Sequence, residues 1–140
     1  MRFIIMVQIP AAETSYDPPA DLVEAMMKYN EDLAKAGVVL ALDGLHPPST
    51  GARVTFEGGR PKVTDGPFAE AKEVLGGYRM INVDSRAEAI EWATRCPASE
   101  NEIIEIRQVQ EMSDFSEEVQ KAAADLPEMQ ARIGQPTGRG

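Results

Sequence analysis

The chain has 140 residues, 43% of them hydrophobic and 26% charged, which is enough for one packed domain with a short appendage. A formal net charge of −9, with no basic stripe, weighs against binding to nucleic acid or to anionic membranes. Cys96 is the only cysteine, so an intrachain disulfide and a thiolate metal cage are both excluded.

Residues 2–9 (RFIIMVQI) are too short for a helix and end at Pro10; they read as a buried strand. Gln8 interrupts the apolar run and no small-residue cleavage pattern follows, so a leader peptide is not expected. Nothing approaches membrane-spanning length, and a reduced, cytoplasmic setting is expected. Residues 11–17 form a loop, in which Asp17 is placed to cap a helix entered through Pro18 and Pro19. Leu22, Val23, Met26, Asn30 and Leu33 then recur at helical spacing, and Gly37 provides a stop.

Residues 38–42 (VVLAL) read as the next strand, closing at Asp43-Gly44, and 45–51 (LHPPSTG) as a loop. Residues 53–56 and 61–64 flank Glu57-Gly58-Gly59-Arg60 as a hairpin with its tight turn at the glycines. After a DGPF segment, residues 76–83 (GGYRMINV) alternate as a strand, with one of Tyr78 and Arg79 facing the core. Ser85 and Glu88 form an S-x-x-E capping box opening a helix over 86–95, whose inner face is Ala89, Ile90 and Ala93 and which Pro97 ends. Residues 102–109 (EIIEIRQV) read as the last strand. Beyond them, 114–126 suit an acidic helix and 133–140 a flexible end.

The order β-α-β, hairpin, β-α-β implies an α+β domain over 1–110, followed by an acidic appendage over 111–140. The plan is ferredoxin-like: an antiparallel sheet with two helices on one face and an inserted hairpin. Its other face lies bare in a monomer, so association as a homodimer is expected.

Residues 63–78 (VTDGPFAEAKEVLGGY) hold the strongest site signal. Asp65 has two readings, a turn-former and a site residue. In an Asx-turn it would accept from the backbone two residues on, but that residue is Pro67, which has no N–H. Asp65 is therefore expected to bond at Phe68 or Ala69, or to point into a cleft. Gly66, held before proline, is expected in a conformation open only to glycine. His46, the single histidine, sits in a proline-rich loop where it is either a solvated side chain or a proton carrier oriented by Asp65. Glu70, Lys72 and Glu73 read as a solvated cluster, or with Lys72 as an anion ligand or a partner of Asp65. Arg53 and Arg107 are weak candidates for a carboxylate clamp. Cys96, before Pro97 at a helix C-terminus, is not expected to be a nucleophile. Trp92, Met26 and Met27 read as packing residues. No phosphate loop, zinc spacing, nucleophile elbow or dinucleotide fingerprint is present, and no metal or organic cofactor is called for.

The VTDGPFAEAKEVLGGY segment, the DSRAEAIEWATRCP helix and the EIIEIRQV strand together resemble the DGPF-type branch of the YCII-related proteins, over residues 1 to about 109. The resemblance implies a ferredoxin-like fold pairing as a dimeric α+β barrel, similar to muconolactone-isomerase-like proteins. It also implies a bacterial cytoplasmic setting, often encoded near extracytoplasmic-function sigma factors, which makes such a factor a candidate partner. A few relatives act on chlorinated lactones, and a His–Asp pair with its histidine on the first helix has been proposed as catalytic for shorter members. This chain departs from that pattern, carrying Tyr29 and Asn30 there and no histidine, so His46 would have to serve. The expected site comprises Asp65 and His46 as proton carriers, with Gly66, Glu70, Lys72 and Tyr78 as ligand contacts. Three functions follow: a cofactor-free isomerase- or lyase-like enzyme on a small cyclic or carboxylated metabolite, a non-catalytic dimeric module binding a ligand or sigma factor, and a purely structural dimer.

Overall fold

The computed structural model describes residues 1–11 and 18–124. In chain order these form β1 (Arg2–Pro10), α1 (Ala20–Lys35), β2 (Val39–Gly44), β3 (Ala52–Glu57), β4 (Arg60–Asp65), β5 (Glu73–Asn82), α2 (Arg86–Arg95), β6 (Ile103–Gln108) and α3 (Glu117–Ala124). Short 3-10 turns occupy Pro48–Thr50 and Met112–Asp114. The cap expected at Asp17 and the end expected at 133–140 lie outside the described residues.

Strands β2, β5, β1 and β6 pair in that order, every pairing antiparallel. This is the ferredoxin-like α+β arrangement, with β3 and β4 as a separate hairpin. The apolar alternation of β1 decides which face is covered. Phe3 and Ile5 join Tyr29 and Leu33 of α1 and Ala89 and Trp92 of α2 in one buried cluster. Ile4, Met6 and Gln8 alternate to the outer face and are only partly buried. At one end of the sheet, Arg2 is 8% exposed and its Nε and Nη2 donate to the Glu111 carboxylate at 2.7 and 3.2 Å. That pair ties the segment after β6 back to β1.

Local signals explain several boundaries. Gly37 takes φ 72° just past α1, a left-handed stop that a side chain would resist. Gly58 and Gly59, at φ 57° and 77°, make the two-residue hairpin turn whose twist suits paired strands. Ser85 Oγ accepts from Glu88 N at 3.1 Å, while the Glu88 carboxylate reaches one residue further back than a full capping box, to Asp84 N at 3.0 Å.

Other elements differ from the sequence expectation. α1 begins at Ala20 with Pro19 extended before it, so both prolines precede the helix. β5 starts three residues early, at Glu73, because β1 continues to Pro10 and pairs with it. β2 likewise runs through Asp43-Gly44, which find partners in Tyr78 and Gly77. On α2 the inner face carries Ala89 and Trp92, whereas Ile90 is 36% exposed. Trp92 sits three residues after Ala89, and one further turn leads to buried Cys96, so this stripe rather than the Ile90 stripe meets the sheet. The acidic C-terminal helix starts at Glu117, after Ser116, whose Oγ accepts from Val119 N at 3.3 Å.

Candidate functional site

The first half of α1 does not close onto the sheet. Leu22, Met26 and Asn30, which share the inward face with buried Leu33, are only partly buried because a cavity of about 470 Å³ lies beneath them. Its floor is Val7 and Ile9 of β1, Leu42 and Gly44 of β2, and Gly76 and Gly77 of β5. Pro18 and Pro19 border it on one side and Pro97, Ser99 and Glu102 on another. The two glycines matter for the space. A Cβ at Gly76 would come within 3.2 Å of the Ile9 side chain, and one at Gly77 within 3.1 Å of the Asp43 carbonyl oxygen. Side chains there would crowd the floor, so GG of the GGY sequence keeps the two strand ends thin.

Arg79 is the one cation among the described residues that border the cavity, which also include Asp43 and Glu102. Arg79 of β5 is 5% exposed, opposite Ile5 of β1 and beneath α1. Its Nε donates to Asn30 Oδ1 at 2.8 Å and its Nη1 to Cys96 Sγ at 3.5 Å, and the guanidinium lies 4.9 Å from the Tyr29 ring centroid. Tyr29 in turn donates its hydroxyl to the Trp92 carbonyl at 2.7 Å. Burial pushes the Tyr29 phenol up to about 12, Cys96 adds to the rise, and the Arg79 and Arg95 cations oppose it. Burial likewise raises the Cys96 thiol, with Arg79 opposing. Both groups are neutral at physiological pH, so neither supplies Arg79 with a negative charge. Among the described residues no carboxylate forms an ion pair with it.

The residues expected from sequence lie mostly elsewhere. Asp65 ends β4 and is exposed, and among the described residues its carboxylate accepts no hydrogen bond from Phe68 or Ala69. His46 is exposed in the loop after β2. Their loops do meet: Gly66 N donates to Gly51 O at 3.0 Å. No hydrogen bond joins the His46 and Asp65 side chains, and neither residue borders the cavity. Gly66 is not in the positive-φ region. Its peptide bond to Pro67 is cis, and a Cβ there would sit 1.9 Å from the Pro48 carbonyl oxygen. Close approach of two loops, rather than backbone conformation, is what demands glycine.

Glu70 pairs with Arg53 at 2.7 Å, and that guanidinium also stacks 3.9 Å from the Phe68 ring centroid, so Arg53 holds the DGPF loop against the hairpin. Lys72 is exposed and takes part through its backbone, its carbonyl accepting from Ala11 N at 2.9 Å. Of the expected ligand contacts, Tyr78 alone borders the cavity. Alternation along β5 turns its ring to the outer face, where its hydroxyl donates to Asp43 Oδ2 at 3.0 Å; that hydrogen bond raises its pKa. Arg107 also lies on the outer face, opposite Ile4. Among the described residues no three His, Cys, Asp or Glu side chains converge as a metal site, and no helix is long and apolar enough to cross a membrane.

Sequence reading missed Arg79 and Asn30 as a pair. The available signal was that one of Tyr78 and Arg79 must face the helices, and that a polar Asn30 interrupts the apolar stripe of α1. The two hints point at each other only once α1 lies over β5.

A comparison with curated proteins finds no match. The sequence pattern of the YCII-related domain, in contrast, matches residues 1–113, taking in the whole sheet, both helices that cover it, and every residue that borders the cavity. On that span the chain belongs to the YCII-related family.

Proposed function

We propose that this YCII-related chain holds a small, largely apolar metabolite in the cavity between α1 and the sheet. The carrying observation is the cavity itself: about 470 Å³, walled by Val7, Ile9, Leu22, Met26 and Leu42, with the hydrogen-bonded Arg79 and Asn30 among its few polar groups. Metabolite sites have this size and mixture, roughly 300–1,000 Å³ with an apolar lining and sparse polar anchors. Octanamide, a neutral apolar probe, tests the reading by titration calorimetry. Binding is expected in the wild type and not in Met26→Trp, which fills the space while leaving the buried Tyr29 and Leu33 in place. No binding, or binding unchanged by that substitution, would falsify the reading.

The acid–base reading, isomerase- or lyase-like proton transfer with Asp65 and His46 as carriers, belongs to the hairpin and the DGPF loop rather than to the cavity, which neither residue borders. Asp65 belongs to one face of the hairpin together with Ala52, Val54, Phe56, Pro61 and Val63, as the register of β3 with β4 requires. Val54, Phe56 and Val63 on that face are exposed. A second copy covering this apolar face would also enclose Asp65, so we assign the homodimer and the acid–base role together. The alternative, a non-catalytic module whose hairpin engages an extracytoplasmic-function sigma factor, draws on the same exposed face. Mixing the chain with such a factor in sedimentation separates them: a complex lost in Phe56→Ser supports the alternative, and no complex counts against it.

A further inference from the structure

We propose that the ligand of this cavity carries a single anionic head, most simply a carboxylate on an apolar body, and that Arg79 is its counter-ion. The inference rests on the cavity-binding reading above and names the class of ligand within it. Arg79 as a residue is only 5% exposed, so its cation has lost most of its water, which is strongly unfavourable for an ion lacking a partner of opposite charge. Each group in direct contact with Arg79 is neutral: Asn30 Oδ1 on Nε, Cys96 Sγ on Nη1, and the Tyr29 ring against the guanidinium. These contacts hold the planar fork in one orientation without cancelling its charge. Among the described residues Nη2 has no hydrogen-bond partner, yet Arg79 has no polar atom that is both fully buried and unsatisfied, so its free donors meet open space. That space is the cavity, because Arg79 and Asn30 both border it.

The remaining wall sets the rest of the ligand. Val7, Ile9, Leu22, Met26 and Leu42 offer only apolar contact, which suits an aliphatic or cyclic body and disfavours a polyanion. Glu102 and Asp43, also at the border, disfavour a second negative charge on the ligand, the Asp43 carboxylate being hydrogen-bonded by Tyr78. A monocarboxylate fits this arrangement, whereas a phosphate ester with two charges fits it less well.

Octanoate and octanamide, matched in shape and differing in charge, distinguish the head-group proposal from the cavity reading beneath it. Wild-type protein is expected to bind octanoate at least about tenfold tighter than octanamide, the usual advantage of a charge-assisted hydrogen bond. Arg79→Met should erase that preference while octanamide still binds, and Arg79→Lys should keep part of it. Equal affinity for the two probes in wild type overturns the proposal and leaves the cavity reading intact. A preference that survives in Arg79→Met also overturns it, since another cation would then be responsible. Failure of both probes to bind removes the cavity reading and this inference together. Should Arg79→Met fail to fold, the wild-type comparison and Arg79→Lys still decide.

Discussion

Tyr29 joins three elements through one side chain. Its ring packs edge-on to Trp92, with centroids 6.3 Å apart at 61°, its hydroxyl reaches the Trp92 carbonyl, and the Arg79 guanidinium rests against it. Tyr29→Phe keeps the ring and removes the hydroxyl, leaving that carbonyl unpaired, and should lower stability by about 1–3 kcal/mol in urea unfolding. The pH dependence has a definite sign. The folded protein holds the Tyr29 proton up to about 12, against an ordinary value of 10.0. Stability from this source is therefore complete below pH 10 and declines as pH rises toward 12. Tyr29→Phe should lose less stability than wild type over that interval, and equal losses would place the titrating group elsewhere. None of this was legible at the residue scale. The apolar stripe marked Leu22, Val23, Met26, Asn30 and Leu33, yet it is Tyr29 and Leu33 that are buried. Periodicity assigns a face to a helix but not how closely each turn of that face approaches the sheet.

Elements with local causes were read well. The Gly58-Gly59 turn, the Gly37 stop and the Ser85 cap each depend on backbone groups within four residues, so neighbouring sequence suffices to specify them. Gly66 shows the opposite case. Its proline neighbour suggested a conformational demand, but the constraint comes from Pro48, eighteen residues away in sequence, across two abutting loops. Gly66→Ala should drive those loops apart and cost about 1–3 kcal/mol, the usual penalty of overpacking a tight contact. Backbone chemical shifts over residues 45–51 should move with it. A variant whose shifts there and melting temperature match wild type would show that the contact yields freely. The same dependence on remote partners explains why β5 begins earlier than its own alternation indicates: pairing with Pro10 carries it back to Glu73.

At the scale of the whole molecule, two surfaces keep exposed or only partly buried apolar side chains among the described residues. One is the outer face of the sheet, with Ile4 and Met6; the other is the apolar face of the β3–β4 hairpin, where Phe56 is 74% exposed. The hairpin's opposite face is polar, bearing Arg53, Thr55, Glu57, Arg60, Lys62 and Thr64, so the two sides are sharply divided. An exposed apolar face of this kind is the usual mark of an association surface. Sedimentation should therefore find a mass twice the 15.3 kDa of one chain, and Phe56→Ser should shift the protein toward monomer without unfolding it. A wild type that stays monomeric at high concentration would rule out the homodimer.

By itself the sequence determined the α+β class, the order of elements, the hairpin turn, the cap of α2 and the family, because each depends on local periodicity, capping chemistry or a contiguous motif. Only the tertiary structure decided where a ligand could lie. The cavity exists because the first half of α1 stands off a floor thinned by Gly76 and Gly77, and Arg79 is drawn into it by Asn30, forty-nine residues away. Such a site is a property of distances between elements, and no stretch of neighbouring residues encodes those distances.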